Sequence, residues 1–122
     1  MADYVPLFKP GTALPLTTSA AVTGGQLLVV SGAGTVAPST AASGAWIGVA
    51  AFDAGTGQRV TVHSGGVQLL TASGAITAGA RVAAAANGQV ADFGAGTDAS
   101  QIVGVALTTA AAGQPVQVKL AR

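Results

Sequence analysis

His63 is the only histidine in the chain, and catalysis by a lone imidazole needs a nucleophile beside it and an acid to orient it. Asp53 is the nearest acid in sequence, but no serine sits in the strand-turn-helix context of an activated nucleophile. His63 also falls on the polar side of an alternating segment, so a solvated side chain is the simpler reading. The four acids, Asp3, Asp53, Asp92 and Asp98, lie in different segments, whereas a metal site needs three or four converging donors. No cysteine is present, which removes disulfides and thiolate ligands. The runs Gly32-Ala33-Gly34 and Gly55-Thr56-Gly57 lack the Lys-Ser/Thr and following helix of a phosphate loop. With 18 glycines in 122 residues, such spacings arise from turns alone. These residues imply no catalytic site, no metal and no cofactor, and point away from an enzyme and a small-molecule substrate.

The totals narrow the remaining classes. Net charge is +1, from three Arg, two Lys and four Asp, so there is no basic field for nucleic acid. Charged residues make up 7% and hydrophobic residues 50%, but aromatics only 4%, so Ala and Val carry the apolar character. A well-solvated monomer normally carries several times more charge, and much of this exterior is expected to face another protein. Between Pro10 and Phe52 no residue is charged, yet the longest aliphatic run there is Leu27 to Val30, far short of the roughly 20 residues of a membrane-crossing helix. The start, Met1-Ala2-Asp3-Tyr4, places an acid where a signal peptide needs positive charge, so no signal peptide and no membrane partner are expected.

The elements that must position these residues are written twice. Ile47-Gly48-Val49-Ala50 and Gly57-Gln58-Arg59-Val60-Thr61-Val62 return 56 residues later as Val103-Gly104-Val105-Ala106 and Gly113-Gln114-Pro115-Val116-Gln117-Val118. Upstream, Leu16-Thr17-Thr18-Ser19 and Gly34-Thr35-Val36-Ala37 return 54 residues later as Leu70-Thr71-Ala72-Ser73 and Gly88-Gln89-Val90-Ala91. The difference places two extra residues in the Gly94 to Ser100 connection, where loop composition tolerates them. Val60 and Val62, like Val116, Val118 and Leu120, alternate with polar residues at the two-residue period of a half-buried strand. The Ala83-Ala84-Ala85-Ala86 run has high helix propensity, but it aligns with β-like Val29-Val30-Ser31-Gly32 and is assigned to a strand. The fold class is therefore all-β: a small barrel or sandwich built from two tandem copies of a roughly four-strand unit. Residues 1–11 form an extended N-terminal arm, because Pro6 and Pro10 fix φ and remove backbone donors. Residues 12–122 form a single β domain, with repeats at about 12–62 and 66–118.

Disagreements between the copies mark candidate interfaces. Leu28 and Val30 align with Val82 and Ala84 and are assigned to the core. Leu27 and Val29 align with Arg81 and Ala83, and a position that accepts Arg is expected to face outward. That leaves an apolar pair on the outside of the first copy, to be covered by a subunit or partner, or alternatively by a loop or the arm. Trp46, the sole tryptophan, aligns with Ile102 and is read as an interface anchor, with a core position as the alternative. Arg59 aligns with Pro115 and is read as a rim contact, with a solvated side chain as the alternative. Tyr4, Leu7 and Phe8 on the arm must lie on the barrel, a sister subunit or a partner.

The words Tyr4-Val5-Pro6-Leu7-Phe8-Lys9-Pro10-Gly11, Gly48-Val49-Ala50-Ala51-Phe52-Asp53-Ala54, Val60-Thr61-Val62-His63-Ser64-Gly65-Gly66-Val67 and Ala75-Ile76-Thr77-Ala78-Gly79 resemble the capsid decoration, or cement, proteins of tailed bacteriophages, most closely those of actinobacterial phages. The resemblance implies a non-enzymatic homotrimer on the outer surface of the expanded phage head, bridging subunits of the major capsid protein. It further implies synthesis in the host cytoplasm and a place in the virion. An alternative from another class is a small β-module for cell-surface or carbohydrate adhesion, such as a head fibre or adhesin fragment. Its glycan binding would be expected to depend on Trp46.

Overall fold

The computed structural model describes Leu7, Phe8 and residues 12–122. Among the described residues there are ten strands: β1 (Leu14–Thr18), β2 (Leu27–Gly32), β3 (Thr35–Pro38), β4 (Trp46–Ala50), β5 (Arg59–His63), β6 (Val67–Thr71), β7 (Arg81–Ala84), β8 (Val90–Asp92), β9 (Ile102–Ala106) and β10 (Pro115–Leu120). Each copy thus contributes five strands rather than about four, because the short strands β3 and β8 add a member to each sheet. The first five close into a barrel in the order β1-β3-β2-β4-β5, and the second five form a sheet in the order β6-β10-β9-β7-β8, the same cyclic order with β6 and β8 at its edges. The parallel seam between β1 and β3 pairs Thr17 with Thr35 and Thr18 with Val36. In the second copy the seam shrinks to one parallel bridge between Ala72 and Val90, supported by the Ser73 N–H donating to Val90 O at 2.8 Å. The second unit is thus a five-stranded sheet curled into an incompletely closed barrel.

The duplication extends to irregularities. Pairing of β2 with β4 jumps between Leu28↔Gly48 and Val29↔Trp46, leaving Ile47 unpaired. Pairing of β7 with β9 jumps between Val82↔Gly104 and Ala83↔Ile102, leaving Val103 unpaired. Each bulge lies beside the glycine of the repeated words. A Cβ at Gly48 would stand 2.3 Å from the His63 carbonyl oxygen, and one at Gly104 would stand 2.0 Å from that of Lys119. The facing strand of each hairpin passes too close for any side chain, which is the physical reason that both words contain glycine. Gly25 and Gly79 have φ of 89° and 90°, so the turns before β2 and β7 are also copies requiring the left-handed region.

The alternation in β5 and β10 is present as expected, with Val60, Val62, Val116, Val118 and Leu120 buried. The alanine run is a strand only through Ala84. Ala86–Gly88 form a short 3-10 turn, with Asn87 at φ 59°, before β8 begins. Leu28 faces the interior of the first barrel with Val22, Val36, Val60 and Val62. Val30, although aligned with buried Ala84, is 47% exposed.

Replacing Gly48 or Gly104 by Ala is expected to destabilise the fold by about 2 kcal/mol or more, through forced separation of paired strands. Gly74→Ala serves as the control, since nothing lies within 4 Å of its added Cβ. Urea unfolding checks this, and equal midpoints for Gly104→Ala and Gly74→Ala would contradict the close-approach account.

Candidate functional site: surfaces and the joint between the barrels

Among the described residues, those whose types suit chemistry do not converge. Among the described residues no group of three or more acids and histidines could hold a metal ion. His63 is exposed at the end of β5. Asp53 accepts from the Gly24 N–H at 2.8 Å and so pins a turn. The Asp98 carboxylate is held below its usual range by the Ser100 hydroxyl at 2.6 Å, and also by the Ser100 N–H at 3.0 Å. It caps the short turn at Ala99–Gln101 rather than meeting a reactant. A groove of about 520 Å³ lies between the Thr23–Gln26 turn of the first barrel and the Leu69–Thr71 and Asn87–Gln89 segments of the second. Its lining includes no His, Asp, Lys or Arg.

The strongest feature is the joint between the barrels. Leu27, Trp46 and Val49 of the first copy belong to one buried cluster with Ala84, Val103 and Leu120 of the second. Val29 packs against the same cluster. Leu27 and Trp46 are therefore inside the chain, at 0% and 1% exposure, and not on the outside as expected. The covering surface is the second barrel, neither a partner nor a loop. The bulge explains Trp46: the register jump places it opposite Val29, on the outer side of the sheet where Leu27 and Val49 pair. Aligning the copies revealed the outward position, but nothing local in the sequence says which surface covers it.

Polar contacts lock the joint. The Ser39 hydroxyl donates to Ala85 O at 2.7 Å, the Gly88 N–H donates to Ser39 O at 3.0 Å, and the Gln26 amide donates to Asn87 O at 3.0 Å. Arg122 stacks on the Trp46 ring at 4.3 Å and donates to Gly44 O and Trp46 O at 2.6 and 2.8 Å. Among the described residues the buried Trp46 Nε1 has no acceptor, a cost of roughly 1–3 kcal/mol. Burial of the indole ring and the guanidinium stacked on it offset that cost. Ser39 and Arg122 were not singled out from the sequence. Their signal lay in the same comparison of copies, since Ser39 aligns with Phe93 and Arg122 with Gly66.

The remaining candidates lie on surfaces. Arg59 is exposed and donates to Pro15 O at 3.3 Å, bracing β1 against β5. Leu7 and Phe8 are exposed at 91% and 46%, while Tyr4 falls outside the described residues. An unforeseen apolar face runs across β6, β10 and β9. Val67 and Val105 flank Lys119 in one row, and Leu69 and Leu107 flank Gln117 in the next. All six side chains are exposed, because the alternation of β10 turns its polar residues toward this face. Buried Trp46 offers no platform for stacking a sugar.

The sequence model of the phage cement protein family matches residues 8–120. The chain belongs to the phage cement protein family. Membership makes it a head-associated structural protein of a phage. No curated protein matches the chain in sequence. In fold it is similar to the crystal structure of the head fiber gp8.5 N base of bacteriophage phi29, with a TM-score of 0.71 and 19% identity over 90% of this chain and 93% of that one.

The joint predicts opposite outcomes for a pair of swaps between the copies. Leu27→Arg places a charge in a closed apolar cluster and should cost about 3–5 kcal/mol of unfolding free energy. Arg81→Leu, on the exposed equivalent, should stay within about 0.5 kcal/mol. Chemical denaturation of both variants checks the assignment, and comparable losses would refute it.

Proposed function

We propose that this cement protein binds the outer surface of the expanded phage head as a homotrimer and cross-braces neighbouring major capsid subunits, without catalysis. The observation that carries the reading is family membership across residues 8–120. The exposed apolar residues Val67, Leu69 and Leu107, flanking Gln117 and Lys119, support it. Exposed apolar rows of this kind mark protein contact. Repetition over a lattice of equivalent sites converts weak individual contacts into high avidity. Two barrels packed on a shared core give the stiffness that a brace requires. The arm, with Tyr4, Leu7 and Phe8, and Arg59 on β5 are further candidate contacts with the head or a sister subunit. The protein's place is then the virion exterior, with the major capsid protein as partner and no need of cofactor, membrane or nucleic acid.

Co-sedimentation with expanded heads that lack the protein tests this reading. The wild type is expected to pellet with the heads, and failure to do so would remove the proposal. Leu69→Asp combined with Leu107→Asp should lower head binding at least tenfold, with an unchanged unfolding midpoint, because both side chains are already solvated. Deleting residues 1–10 should likewise preserve cooperative unfolding and weaken head binding. Loss of cooperative unfolding would make the arm part of the folded body instead.

A further inference from the structure

The joint inside the chain joins two different surfaces. The first barrel contributes its side, Leu27, Trp46 and Val49, to a cluster whose members from the second include Ala84, Val103 and Leu120. Each set has a counterpart in the other copy that the joint leaves unused. The counterparts of Leu27, Trp46 and Val49 are Arg81, Ile102 and Val105. Val49 is 3% exposed, whereas Val105 is 41% exposed. The counterparts of Ala84, Val103 and Leu120 are Val30, Ile47 and Ser64. Ala84 is 3% exposed, whereas Val30 is 47% exposed, and Ile47 and Ser64 are half-buried. Leu14, Val30, Ile47 and Ser64, together with Trp46 and Arg122 of the joint, line an open pocket of about 500 Å³. The contact is thus head-to-tail, and a head-to-tail contact leaves one free surface of each kind.

The free surfaces differ from the used ones in compensating ways. On the side, Trp46 is replaced by the smaller Ile102. In the receiving patch, Ala84 and Val103 are replaced by the larger Val30 and Ile47. A large projection meets small residues within the chain, and at the free ends a smaller projection faces larger ones. Polar groups follow the same logic. Within the chain, the Ala85 and Asn87 carbonyls accept from Ser39 and Gln26. Their counterparts, Ser31 and Ala33, are exposed. Arg81, which stands where Leu27 does, holds its guanidinium 5.6 Å from the Phe93 ring, at the rim of the free side.

We propose that the Val30, Ile47 and Ser64 patch of one copy receives the Arg81, Ile102 and Val105 side of a second copy of this chain, repeating between subunits the joint that already holds the two barrels together. The contact supplies the interface for the homotrimer proposed above, but it does not depend on head binding.

Light scattering on the purified full chain, from low to high micromolar concentration, tests it. The wild type is expected to rise from the mass of one chain to that of a closed trimer. Val30→Asp spoils only the receiving patch, and Ile102→Asp spoils only the side, so each alone should fall to the mass of one chain. Mixed together they retain one intact surface of each kind, and the mixture should rise to the mass of two chains. Val105→Glu, at an exposed position, replaces Ile102→Asp if the latter shifts the unfolding midpoint. A wild type of single-chain mass throughout would overturn the proposal, as would a mixture that stays at single-chain mass. Co-sedimentation with heads is read separately, so failure of head binding and failure of this contact remain distinct.

Discussion

The side of the first barrel buried against the second is the contact on which the rest of the structure depends. A unit of roughly 50 residues is near the size at which one core is only marginally sufficient, since so much of its surface stays wet. Here the aromatic content is also low, and the first barrel's own interior is filled by Val, Leu, Ala and Ile47, with no aromatic ring. Burying Leu27, Trp46 and Val49 adds about 1.5–3 kcal/mol for each of the first and last, with the indole contributing more contact area. The largest side chain in the protein is placed between the repeats rather than within either one. The two barrels therefore share a core, and each supplies part of the other's stability.

The same contact explains how the copies diverged. Two identical barrels would expose identical sides, and only one of the two sides becomes buried when they pack head-to-tail. The buried side carries Leu27, Ser39 and Trp46, apolar or able to hydrogen-bond inward. Its free equivalent carries Arg81, Phe93 and Ile102, with the guanidinium resting over the ring. The framework is under the opposite pressure. Gly48 and Gly104 both face a carbonyl at a distance that no Cβ tolerates, so the repeated words stay the same where backbone meets backbone. Divergence marks the changed environment, and identity marks close approach.

Among the described residues, the groups suited to chemistry do not converge. His63, Asp53 and Asp98 are a solvated strand residue and two turn pins. The exposed rows on β6, β10 and β9 were hidden in the sequence because Val67 and Leu69 look like ordinary strand apolars. Only pairing with β10 shows that they share a face with Gln117 and Lys119. Val30 misled in the opposite direction: its parity matches Leu28, but it lies where the first barrel is open.

By itself the sequence determined the all-β class, the duplication, the β4–β5 and β9–β10 hairpins, and the inward valines. These follow from local rules of side-chain alternation, glycine turns and repeat spacing. It also located where the copies differ, at positions 27, 29, 46 and 59. The tertiary structure decided what those differences are for. Whether Leu27 and Trp46 face solvent, a partner or the same chain depends on how two distant units pack. A bulge at Ile47 shifts Trp46 to the outer side of its sheet, and only the packed second barrel covers it. Alternation fixes which residues share a face, but the surface opposite that face comes from another part of the chain, which local periodicity does not encode.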